Sequence, residues 1–105
     1  MASAIVDKTR HWPTKSHREL FGAIASLRTP DEVERFLRDL CTRSELDAMA
    51  HRWDVAKLLD QGLPYLEVAR RAHASTTTVT RVSQWLRNGE GGYALALERL
   101  RRRRA

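Results

Sequence analysis

Between Tyr65 and Leu86 the chain reads YLEVARRAHASTTTVTRVSQWL, with apolar positions at Val68, Ala69, Ala72, Ala74, Val79 and Val82. Two short helices meeting at a steep angle bury that pattern. The spacing predicts helices over about 64–72 and 76–87, a helix-turn-helix over residues 64–87. Ala69 is small enough to let the second helix approach the first. The turn falls at His73, where such units commonly carry glycine because the residue takes a positive φ; histidine accepts that conformation at some cost in strain. The face left over holds Thr76, Thr77, Thr80, Arg81 and Gln84. These are short polar groups and one cation, types that suit base edges and phosphates in a DNA major groove.

A polyanionic partner also fits the charge. The net charge is +6, and it divides unevenly: residues 1–29 sum to +3, 30–62 to −3, 63–87 to +3 and 88–105 to +3. The expected reading unit is therefore basic and the segment before it acidic, which a uniform solubilising coat would not produce. The single cysteine, Cys41, lies on an apolar helix face and reads as a buried structural thiol; one cysteine allows neither an internal disulfide nor a multi-cysteine metal site. His11, His17, His51 and His73 lack metal-ligand spacing and are expected to be solvated or to cap helices. No apolar run reaches membrane-spanning length and no secretion signal is present, so a cytoplasmic protein without a membrane partner is expected.

The remaining elements follow from periodicity and caps. Residues 1–14, interrupted by Pro13, read as a mobile arm. Leu20, Phe21, Ile24 and Leu27 recur at helical spacing. Thr29-Pro30-Asp31-Glu32 then signals a new helix start, with Thr29 as N-cap, Pro30 at the first helical position and Glu32 reaching back. That helix places Val33, Phe36, Leu37 and Leu40 on one face. Thr42-Arg43-Ser44-Glu45 repeats the capping signal before a third helix with Leu46, Met49, Ala50, Trp53, Ala56 and Leu59. Val55 and Leu58 widen this stripe, so the helix needs more than one neighbour. Gly62 can close it in a left-handed cap, and a last helix carries Tyr93, Ala96, Leu97 and Leu100. The expectation is an all-α chain of about six helices, forming one domain over 15–101 with a basic tail at 102–105. The outer helices are expected to pack across a two-fold axis, as a homodimer presenting two reading helices about 34 Å apart.

The chain resembles the Trp-repressor family, and within it the YerC/YecD-type branch. The resemblance rests on LFGAIASL with FLRDLCTRSEL, on RWDVAKLLDQG, and on STTTVTRV with the closing NGEGGYALALERL. It covers about residues 18–100. It implies an intertwined helical homodimer that binds double-stranded DNA and regulates transcription, as a repressor. The family's base- and phosphate-contacting positions fall on Thr76, Thr77, Thr78 and Thr80, with Ser75 as cap and contact; Arg70 and Arg71 at the end of the first helix are phosphate candidates. Threonines in a helix cost roughly half a kcal/mol each relative to alanine, which favours a contact role.

The family's effector pocket maps onto altered residues. The carboxylate-binding arginine falls on Asp54, the glycine beside the indole on Val82 and a small serine on Trp85, while Arg81 keeps its type. Asp54 is expected to pair with Arg81 and Trp85 to fill the cavity, so free tryptophan is not expected as corepressor, and no cofactor or other effector is assigned. No phosphate loop, paired carboxylates or nucleophile–histidine pair suggests an enzyme, and no catalytic or metal residue is assigned. The competing class is a helical protein-interaction adaptor with weak or no DNA binding, which would tolerate charge removal at Arg81 and Arg87.

Overall fold

The computed structural model describes residues 12–104, so residues 1–11 of the expected arm and the final residue of the basic tail lie outside it. The described residues form six helices and no strand: α1 Lys15–Ala25, α2 Pro30–Leu40, α3 Arg43–Asp60, α4 Tyr65–Ala72, α5 Thr76–Asn88 and α6 Gly92–Arg104. None is long and apolar enough to cross a membrane. The chain divides into two compact units between Thr42 and Arg43.

The first unit holds α1 and α2. Thr14 caps α1 in a reciprocal box with His17: the Thr14 hydroxyl accepts from the His17 N–H, and His17 Nδ1 accepts from the Thr14 N–H at 3.0 Å. Trp12 stacks edge-on against the His17 ring with centroids 4.1 Å apart. Thr29 caps α2 by accepting from the Glu32 N–H at 3.1 Å, with Pro30 at the helix start. The Glu32 carboxylate reaches back one residue past the cap, to the Arg28 N–H at 2.8 Å. Neither helix contains a buried residue, and Phe21, Ile24 and Leu40 stay exposed.

The second unit is built on the C-terminal half of α3. Val55 and Ala56 are fully buried together with Val68 of α4 and Val79 and Val82 of α5. Leu59, Ala69, Ala72 and Ala74 pack around them, which is the apolar pattern of the reading unit closed on α3. The α3 stripe is thus used unevenly. Its C-terminal half meets three neighbours, whereas Met49 and Ala50 in its first half remain exposed. Gly62 takes φ +82° after α3, where an L side chain would be strained.

Helix α6 runs parallel to α3. Tyr93 near its start stacks on Trp53, with centroids 6.4 Å apart and planes 10° from parallel, and Arg101 near its end pairs with Asp60, the last residue of α3. The helix continues through Arg104, so the arginines expected as a tail form its last turn. Cations there face the negative end of the helix dipole.

Candidate nucleic-acid interface

Three sets of contacts fix α5 against α4 and α3. At the turn, His73 adopts φ +53°, ψ +44°, the left-handed conformation, and the Ala74 N–H returns to the Ala69 carbonyl at 2.9 Å. His51 of α3 donates from Nε2 to the Ala72 carbonyl at 2.8 Å, satisfying one of the carbonyls that the end of α4 leaves free. Ser75 caps α5, accepting from the Thr78 N–H at 3.1 Å. At the far end of the pair, the Tyr65 hydroxyl bonds to Ser83 and receives a hydrogen bond from Arg87, which also donates to Ser83 Oγ through Nη2 at 2.8 Å and Nε at 3.2 Å. The Ser83 bond and the Arg87 charge draw the Tyr65 phenol below its ordinary value, against the opposing effect of burial.

With Val79, Val82 and Ser83 turned inward, a helix of 3.6 residues per turn must turn Thr77, Thr80, Arg81 and Gln84 outward. They do so, and with Thr76 they line a shallow depression of about 340 Å³. Arg81 has no hydrogen-bond or ion-pair partner among the described residues, which leaves its guanidinium available. Thr78 is turned aside and half-buried, its Oγ1 accepting from the Ser75 hydroxyl at 3.0 Å. Arg70 and Arg71 sit on α4, both engaged by Glu67; Arg71 Nε reaches Glu67 Oε2 at 2.7 Å. Hydrogen bonds from Arg70, then Arg71, hold the Glu67 carboxyl down at about 2, and the same contact raises Arg70.

A second opening, an exposed cleft of about 390 Å³, lies between His51 and Arg52 of α3 and Arg81, Val82 and Trp85 of α5, with Tyr93 at one end. Three of the four residues expected at the altered effector pocket meet here, and Asp54 does not. Asp54 sits about 100° around α3 from the buried Val55 and pairs with Lys57 at 3.3 Å instead of with Arg81. Trp85 does not fill the cleft: it is 61% exposed and forms part of the wall. It lies about 120° around α5 from Val79, at the flank of the helix and outside the core. The cation that faces Arg81 across the cleft is Arg52. Its position one turn before the inward Val55 is the sequence signal that places it on this side of α3.

The chain is similar to known proteins over nearly its whole length. The family model described as Trp repressor protein matches residues 15–101. The uncharacterized protein YerC of Bacillus subtilis is 38% identical over 96 residues, covering 91% of this chain and 89% of that one. A crystal structure of a TrpR-like protein from Eubacterium eligens superposes with a TM-score of 0.76 at 40% identity, covering 83% of this chain and 90% of that one. A second solved structure, from Staphylococcus aureus, gives a TM-score of 0.77 at 35% identity over 84% of this chain and 88% of that one.

Proposed function

This chain belongs to the Trp repressor family, and on that premise we propose that it is a sequence-specific DNA-binding transcriptional regulator, a repressor, reading a two-fold operator with α5. One observation carries the reading. The outward face of α5 gathers Thr76, Thr77, Thr80, Arg81 and Gln84 on one surface, while the inward face is immobilised by a packed core and by hydrogen bonds at both ends. Threonine hydroxyls and methyls can meet base edges, and Arg81 can meet a phosphate or a guanine.

The unit acts as a homodimer. Phe21, Ile24 and Leu40 of the first unit and Met49, Leu95 and Leu100 of the second are apolar and exposed. A second copy that covers them, with its outer helices intertwined with those of the first, buries surface that one chain leaves in water. Two reading helices related by a two-fold axis then reach successive major grooves.

DNA binding in this reading does not depend on free tryptophan. The support lies in how α5 is held: Tyr65, Ser83, Arg87, His51 and the valine core position it through contacts within the chain, and a branched Val82 stands in the core at the edge of the cleft. Repulsion by Asp54 is not part of the support, since Asp54 faces elsewhere. Selection of bound duplexes from random DNA at fixed salt tests the proposal. A two-fold consensus, recovered without added tryptophan, is the expected result. Recovery of no consensus, with unchanged weak binding after Arg81→Gln, would favour the adaptor reading.

A further inference from the structure

Five of the last six described residues of α6 are arginine: Arg99 and Arg101 to Arg104. Two of them have structural employment. Arg101 pairs with Asp60 at the end of α3, and Arg102 pairs with Glu98 one turn back. Arg99, Arg103 and Arg104 have no acidic partner among the described residues, and all three are exposed. Like charges at a spacing of four, as in Arg99 and Arg103, cost a few tenths of a kcal/mol in an isolated helix. Arg101 and Arg104 also line a groove of about 330 Å³ with Lys57 and Gln61, floored by Leu97 and Leu100. The one carboxylate in that groove, Asp60, is already neutralised by Arg101. Lys57 is likewise paired, with Asp54, which leaves Arg104 as the unopposed cation of the groove, over an apolar floor that can support arginine stems.

Its place in the fold decides the partner. Asp60 ends α3, and Tyr65 begins α4 five residues later, a reach of at most about 18 Å. The arginine-rich end of α6 is thus tied, through Arg101 and Asp60, to the end of α3 from which the chain enters the reading unit. Tyr65 itself is bonded through Ser83 and Arg87 to α5. We propose that Arg99, Arg103 and Arg104 form a second phosphate-binding surface, which grips the DNA backbone flanking the groove read by α5. The proposal rests on the DNA-reading function above. Guanidinium suits it, since its planar fork matches phosphate oxygens in pairs. Phosphate contacts add affinity and position without adding sequence preference.

The test is the salt dependence of binding to a selected duplex, for the full-length protein and for the triple variant Arg99→Gln, Arg103→Gln, Arg104→Gln. Each phosphate contact contributes about 0.9 to the slope of log affinity against log salt. The variant is expected to lose at least about 2 from the slope per protomer and roughly a hundredfold in affinity at 0.1 M salt. Its ranking of selected over scrambled duplexes should stay unchanged. A control removes three cations elsewhere, with Lys15→Gln, Arg18→Gln and Arg28→Gln, and should change the slope by less than about 1. An unchanged slope in the α6 variant, or an equal loss in the control, overturns the proposal while leaving the DNA-reading function standing. Loss of binding to anionic-lipid vesicles with DNA binding intact overturns it too and assigns the surface to lipid headgroups. If the parent protein binds no duplex at any salt, both readings fail together.

Discussion

Tyr65→Phe removes one hydroxyl and isolates the tie between the two helices of the reading unit. In the parent that hydroxyl bonds to Ser83 and accepts from Arg87. Ser83 is 4% exposed, yet the variant does not orphan it, because Arg87 still donates to its Oγ. The cost is then the net worth of the lost bonds, about 1–2 kcal/mol, below a full charged-pair value because Arg87 can turn to water. Ser83→Ala leaves the phenol with Arg87 and should cost about 1 kcal/mol. If the groups act as one cluster, the double variant costs less than the sum of the singles by about 0.5–1 kcal/mol. The assay is urea unfolding followed by helical circular dichroism at fixed protomer concentration, since dimerisation makes stability concentration-dependent. Each kcal/mol corresponds to roughly 4–8 °C in a thermal melt of a domain this size. Single effects that add within about 0.3 kcal/mol would show instead that the two hydroxyls are energetically independent.

Val79→Ala strips two carbons from a fully buried site in α5 and should cost about 2–3 kcal/mol, while Leu66→Ala, at a side chain 76% exposed, should stay within about 0.5 kcal/mol by urea unfolding. Gly89→Ala would set a Cβ 2.5 Å from the Trp85 carbonyl oxygen, so it should destabilise the end of α5 by about 1–3 kcal/mol, read as faster amide exchange there. At the turn, His73→Gly should leave stability within about 0.5 kcal/mol, because relieved strain offsets added unfolded-state freedom, whereas the branched His73→Val should cost more than about 1 kcal/mol. Glu67 titrates near 2 when folded against an ordinary 4.5. Its contribution is therefore complete above about pH 4.5 and is lost as pH falls towards 2, so Glu67→Gln should flatten the acid limb of the stability profile in that window.

The features legible in the sequence were those with local causes. The caps at Thr29 and Ser75, the left-handed positions at Gly62 and His73, and the inward positions Val68, Val79 and Val82 each follow from neighbours within a few residues. The altered pocket was less legible. Trp85 was expected in the cleft because its size suggested a plug, but helix rotation places it on the flank; Asp54 was expected opposite Arg81, but a lysine three residues along its own helix takes the charge. Contacts between residues far apart in sequence left no periodic trace. Ser83 and Tyr65 are 18 residues apart and Asp60 and Arg101 are 41 apart, and a serine or a terminal arginine carries no local mark of such a partner. The Glu67 clasp does carry a local mark, since Arg70 and Arg71 lie three and four positions on.

The measurement that bears most directly on the account is the affinity ratio between a selected duplex and a scrambled one, at stated salt and without tryptophan, for the parent and for Thr80→Asp. Thr80 is exposed on α5 and bears on no core contact, so an aspartate there adds charge to the reading face without unfolding it. A large ratio is expected for the parent, and a ratio near one with unchanged dimerisation for the variant. A variant that discriminates as well as the parent would show that the threonine face of α5 does not read DNA.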